Sequence, residues 1–97
     1  MNAIILHTII IYTLSYCPYC IKAKELLNKK NVAYQEIVVD DYSEAQRLEL
    51  KNKSGGKHTL PQIFIDGMHI GGCDDLYKLE AEGKLDKLLT NAKHDRK

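Results

Sequence analysis

The sequence predicts an α/β domain over residues 1–97, in which helices flank a four-stranded mixed sheet in the order β-α-β-α-β-β-α-α. Three observations carry that expectation. A β-branched run over residues 7–13 leads into an amphipathic stretch that opens at Pro18. Asp66-Gly67 separates two short apolar runs, the strongest short-range hairpin signal. Helical patterns also follow Ser43 and the pair Gly71-Gly72.

Taken in order, residues 7–13 suit a strand buried on both faces. In the stretch 18–30, Cys20, Ala23 and Leu27 fall on one helical face, while Lys22, Glu25 and Lys29 share another. Pro18 fits the first helical position because the N–H it lacks has no helical partner there. Glu25 and Lys29 form a favourable i,i+4 pair, and Asn31 can adopt the left-handed conformation that stops a helix. Residues 33–39 read as a second strand, and a strand, helix and strand in about 30 residues form a βαβ unit with parallel strands and a right-handed crossover. Ser43-Glu44-Ala45-Gln46 reads as a capping box for a second helix that Gly55-Gly56 closes. Ile63-Phe64-Ile65 and Met68-His69-Ile70 form the hairpin arms. Asp74 or Asp75 is expected to cap a third helix containing Leu76 and Leu79, and a short last helix carries Leu85, Leu88 and Leu89, with a flexible tail from about residue 91. This arrangement is thioredoxin-like.

Composition narrows the function. Fourteen Lys and Arg balance thirteen Asp and Glu, for a formal charge of +1. Binding to a nucleic-acid backbone needs a concentrated positive field, so it is not expected. The bases at 51–57 and 93–97 read as solvated surface. The apolar start (Ile4, Ile5, Leu6) lacks the basic opening and small-residue cleavage site of a signal peptide and is shorter than the ~20 residues of a membrane span. Three cysteines are too few, and odd in number, for a secreted disulfide framework. A reducing, cytoplasmic setting is therefore expected, without membrane association, and nothing suggests more than a monomer.

Cys17-Pro18-Tyr19-Cys20 lies where the first strand meets the first helix. A sulfur there faces unpaired backbone N–H groups and the positive end of the helix dipole, both of which favour thiolate over thiol. Lys22 and Lys24 are candidates to add positive charge. Cys20, one turn further on, is closer to the core, so Cys17 is expected to attack and Cys20 to resolve the mixed disulfide. Zinc held by Cys17, Cys20, His69 and Cys73 is disfavoured, because the first pair opens a helix rather than a tight turn. Thr59-Leu60-Pro61 precedes the third strand. Either Pro61 merely ends a loop, or a cis Leu60–Pro61 bond presents the Leu60 backbone to an extended, peptide-like substrate. In Gly71-Gly72-Cys73-Asp74-Asp75, an anion site with a carboxylate for an amino group competes with a plain glycine turn and acidic cap. Cys73 alone reads as a small core residue.

Together, and in this order, Tyr12-Thr13, Cys17-Pro18-Tyr19-Cys20, the segment 59–67 that opens with Thr59-Leu60-Pro61 and ends with Asp66-Gly67, and the segment 70–76 containing Gly71-Gly72-Cys73-Asp74-Asp75 resemble the pattern of dithiol glutaredoxins. The similarity runs over about residues 7–89. The resemblance implies glutathione-dependent thiol–disulfide exchange, with glutathione as co-substrate, no bound cofactor or metal, and disulfide-bonded or glutathionylated proteins as partners. It also implies that Thr59 and Leu60 pair with the cysteinyl backbone of glutathione, that Pro61 shapes the site and Tyr19 borders it, and that Gly72, Cys73 and Asp74 hold the γ-glutamyl end. Leu14 stands where the family commonly has lysine, and Leu60 where valine is usual. Gln46, Lys57 and His58 are candidates to replace the missing charge, Lys57 being the preferred one.

Two other functions are weighed. An iron–sulfur cluster held between two copies by Cys17 and glutathione is disfavoured by Pro18, which stiffens the turn, and by Cys20, which competes for Cys17. A thioredoxin proper, reduced by a reductase protein, is disfavoured by Cys17-Pro18-Tyr19-Cys20 itself and by the absence of tryptophan before it.

Overall fold

The computed structural model of the protein describes residues 8–93. Its elements are β1 (Ile9–Thr13), α1 (Pro18–Lys29), β2 (Gln35–Val38), α2 (Glu44–Lys53), β3 (Gln62–Ile65), β4 (Met68–Gly71), α3 (Cys73–Ala81) and α4 (Lys84–Lys93). The expected order of elements and the mixed sheet are both present. The strands lie in the order β2-β1-β3-β4, with β1 parallel to β2 and antiparallel to β3, and β3 antiparallel to β4. Residue 7 and the apolar start fall outside the described residues. The expected tail falls on the end of α4 and, from residue 94 on, outside them too.

Alternation along β1 and β3 divides the core in two. Ile9, Ile11, Ile63 and Ile65 face Ala23, Leu26 and Leu27 of α1, Leu76 of α3, and Leu85 and Leu89 of α4. Tyr12 and Phe64 face the other way, with Val39, and are joined by Leu14, Tyr42, Leu50 and Leu60. This second face is thinly covered. No residue of α2 is fully buried, and Leu48 is 57% exposed.

Local signals explain most boundaries. At the start of α2, Ser43 Oγ accepts from Gln46 N–H (3.1 Å), and Gln46 Oε1 accepts from Ser43 N–H (2.8 Å), which is the expected capping box. At its end Gly56 N–H donates to the Lys51 carbonyl (2.9 Å), with Gly55 and Gly56 at φ 67° and 87°. Asn31 ends α1 at φ 63°, and Asp66-Gly67 turns the hairpin at φ 52° and 82°. Where α1 ends, the Lys30 ammonium bridges to Glu80 (2.7 Å) and Asp86 (2.8 Å), which tie α3 and α4 to it.

The start of α3 differs from expectation. Its N-cap is Gly72, not Asp74 or Asp75, and Asp75 reaches back from the first turn to accept the Gly72 N–H at 3.0 Å. A glycine in extended conformation lets the chain enter the helix one residue after the strand, so the aspartates are left inside it.

Candidate functional site

α1 begins one short loop after β1, at the edge where that strand delivers its C-terminal end. Cys17 is the N-cap of α1. Its carbonyl accepts from Ile21 N–H (3.1 Å), and its Sγ accepts from Cys20 N–H (3.2 Å). The sulfur therefore takes the role that a serine or aspartate oxygen takes at an ordinary cap. Cys17 is 9% exposed and Cys20 1%, and the two are joined as a disulfide. Cys17 Sγ lies 3.8 Å from the carbonyl oxygen of Leu60. Tyr19, between the cysteines, is 61% exposed.

The Leu60–Pro61 peptide is cis, which decides between the two isomers left open by the sequence. Beside it lies a cleft of about 440 Å³, within the range of small-molecule sites. Tyr19, Lys57, Thr59, Leu60, Pro61, Gly72, Cys73 and Asp74 all line it, with Gln62 and Asp75. Three segments far apart in sequence thus surround one space next to Cys17. Pro61 and Gly72 are close neighbours: a Cβ at Gly72 would lie 3.3 Å from the Pro61 carbonyl oxygen, a tight contact that would push the two apart by a few tenths of an ångström. Cys73 is buried, and burial, then the neighbouring Asp74, pushes its thiol pKa up. It is accordingly a poorer nucleophile than an ordinary cysteine at neutral pH.

The charges nearest in sequence are directed elsewhere. Lys24 pairs with Glu36 at 2.9 Å, and Lys22 lies over the Tyr77 ring, 5.5 Å from its centroid. Of the candidates to replace the missing lysine, Gln46 is engaged in the α2 cap, whereas Lys57 lines the cleft. Leu14 packs with the apolar cluster of Tyr12, Val39 and Phe64.

His69 is hydrogen-bonded within the protein. Its Nε2 is 2.7 Å from Oε1 of Gln62, and Gln62 Nε2 donates to the Thr59 carbonyl at 2.9 Å. Because the amide oxygen can only accept, His69 Nε2 is the donor in this bond. Gln62 is 1% exposed, so the chain His69–Gln62–Thr59 passes through a buried amide and ends on an exposed cleft residue. Sequence reasoning passed over Gln62. The signal was a polar residue opening an otherwise apolar strand, on the same face as Phe64, which the hairpin register pairs with His69. No group of three or more His, Cys, Asp or Glu side chains among the described residues is arranged to hold a metal ion. Nor is any described helix long and apolar enough to cross a membrane.

Comparison with known proteins agrees with this geometry. The family model described as Glutaredoxin matches residues 9–70. The chain is 64% identical over 91 residues to Glutaredoxin 1 of Rickettsia conorii, covering 94% of this chain and 89% of that one. It is 56% identical over 79 residues to Glutaredoxin 3 of Escherichia coli, covering 81% and 93%. Among solved structures, a buckwheat glutaredoxin in complex with glutathione superposes with a TM-score of 0.80 at 34% identity, over 89% of this chain and 79% of that one. A glutaredoxin from Brucella melitensis gives 0.75 at 49% identity, over 88% and 90%.

Proposed function

The chain belongs to the glutaredoxin family, a glutathione-dependent thiol–disulfide oxidoreductase with Cys17 and Cys20 as its redox pair, and from that premise we propose how its residues divide the work. Once the pair is reduced, Cys17 is the nucleophile. Its sulfur sits at the N-terminus of α1 within reach of the Cys20 N–H, so the anion gains a hydrogen bond and a favourable dipole, and its pKa falls below the ordinary thiol value. With a glutathionylated protein, the Cys17 thiolate attacks the glutathione sulfur. The S–S bond breaks, the protein leaves as a thiolate and takes up a proton, and glutathione stays on Cys17. A second glutathione thiolate then attacks that sulfur, releasing glutathione disulfide and the Cys17 thiolate. With a protein disulfide, Cys20 displaces the partner from Cys17, and two glutathiones reduce the resulting pair.

Glutathione lies in the cleft. Thr59 and Leu60 offer backbone groups to its cysteinyl residue, Pro61 and Tyr19 bound it, Gly72, Cys73 and Asp74 receive the γ-glutamyl end, and Lys57 stands towards the glycyl carboxylate. The observation that carries this reading is the meeting of Cys17 Sγ, the Leu60 carbonyl and the cleft. The protein acts as a monomer in a reducing, cytoplasmic compartment, with no metal and no resident cofactor.

An assay coupling glutathione, its reductase and a small glutathione mixed disulfide tests the assignment. Wild type turns over. Cys17→Ser loses all activity, whereas Cys20→Ser keeps deglutathionylation and loses reduction of protein disulfides. Equal loss of both activities in the two variants would show that the sulfurs are wrongly assigned.

A further inference from the structure

A second depression, of about 290 Å³, opens between α2 and the loop that leads into β3. Tyr42, Leu50 and Leu60 are among its apolar lining, and Arg47, Lys51 and Lys57 stand on its rim. Among the described residues, no aspartate or glutamate lines it. The arrangement follows from the helix: Arg47, Leu50 and Lys51 are spaced i, i+3, i+4 and so share one side of α2. The left-handed glycines Gly55 and Gly56 then turn the chain so that Lys57 comes back beside them. In a chain with a formal charge of +1, this is a local concentration of positive charge over an apolar floor. Arg47 also feels the carboxylate of Asp40, which Ser15 holds by its N–H at 3.0 Å and by its hydroxyl.

The groove is continuous with the cleft. Lys57, Thr59 and Leu60 line both, and the Leu60 carbonyl is the group 3.8 Å from Cys17 Sγ. Direction follows from the site: Gly72 adjoins Pro61, so the γ-glutamyl end lies on that side of Leu60 and Lys57 on the other. A residue that follows the bound cysteine therefore leads past Lys57. In glutathione that residue is glycine, and the chain ends. In a protein it continues, and at ~3.3 Å per extended residue the second and third positions reach the groove.

We propose that this groove is a specificity site for protein disulfides, reading the two or three residues after the attacked cysteine and favouring an acidic side chain followed by an apolar one. It rests on the assignment of the cleft to glutathione. The chemistry is that of the dithiol route: Cys17 attacks the sulfur of the partner's cysteine and expels its other thiolate, Cys20 then displaces the partner, and two glutathiones leave as glutathione disulfide. The groove enters through the stability of the intermediate mixed disulfide and the transition states on either side of it.

Three disulfide-bridged peptides, alike except that the second cysteine is followed by Asp-Leu, Lys-Leu or Asp-Ser, test it through kcat/KM in the coupled assay. Wild type is expected to prefer Asp-Leu over Lys-Leu by about fivefold, the scale of one or two exposed charge contacts, and the preference should shrink with added salt. Asp-Ser should fall about threefold below Asp-Leu as the apolar contact is lost. In Arg47→Glu/Lys51→Glu the ratio of Asp-Leu to Lys-Leu should invert, and using a ratio cancels any general change in activity. Equal rates for the three peptides in wild type, or a preference that survives the charge reversal, overturns the groove while leaving the glutathione cleft intact. No turnover of a small glutathione mixed disulfide by wild type would overturn the cleft assignment, and the groove with it.

Discussion

Gln62 shows what single residues contribute beyond the two sulfurs. A buried amide must satisfy both ends, and this one does so between His69 and the Thr59 carbonyl, so β4 holds the cleft wall in place through β3. Removing the amide in Gln62→Leu breaks its bond to the Thr59 carbonyl, and His69→Phe leaves the buried amide oxygen unpaired and so weakens the anchor of that bond. The KM for a glutathionylated substrate should rise about three- to tenfold, the worth of one hydrogen bond, with kcat within about twofold. A fall in kcat at unchanged KM would contradict the positioning role. Leu14 makes the opposite point, because it packs into an apolar cluster where the family resemblance leads one to expect a lysine. Leu14→Lys should lower the pKa of Cys17, read as thiolate absorbance against pH, and an unmoved titration would contradict the idea that a charge is missing there. Residue identity was legible where local chemistry decides it: Cys17 and Pro18 together specify a sulfur at a helix start. It was not legible for Lys22 and Lys24, whose long side chains settle on Tyr77 and Glu36, partners that only the folded chain brings near.

At the scale of elements, the most secure boundaries are those written in a few adjacent residues. The capping box at Ser43, the turn at Asp66-Gly67 and the stop at Asn31 each place a helix end or a hairpin where the adjacent residues call for one, and Thr8 adds two hydrogen bonds to Asp66. The start of α3 offered a glycine and two aspartates in succession, and the choice of Gly72 depends on how closely the chain passes Pro61. Between elements, β1, β2 and α1 are joined by a polar knot. The buried Thr13 hydroxyl donates to Glu36 at 2.7 Å, and Lys24 pairs with the same oxygen. The Thr13 bond first, then Lys24, hold the Glu36 carboxyl below its ordinary pKa. A lowered folded-state pKa means stabilisation that is complete above the unfolded value and fades as the pH falls through the folded one. Glu36→Gln should therefore be less stable than wild type at pH 7 by roughly 1 kcal/mol, allowing for solvent screening at this exposed strand. That gap, measured by urea unfolding, should close as the pH drops below about 4. A gap that persists in acid would assign the effect to packing.

For the whole molecule, the division of labour between the two sheet faces explains where function sits. One face is filled by α1, α3 and α4, which fixes the base of α1 and hence the direction in which its N-terminus points. Among the described residues, the other carries α2 as its one helix and leaves a groove open. The fold was legible in the sequence because strand, helix and hairpin signals followed one another without conflict. The thinness of the α2 layer was not, since a helix with few apolar residues reads the same whether it covers a core or merely borders one. What the architecture finally achieves is a sulfur at a helix terminus beside a peptide-sized cleft, and the reactivity of that sulfur is open to direct measurement. In reduced protein carrying Cys20→Ser and Cys73→Ser, the rate of Cys17 alkylation by iodoacetamide is followed against pH. The rate should rise with a midpoint well below the ~8.5 of free cysteine. A midpoint at or above that value would contradict the account.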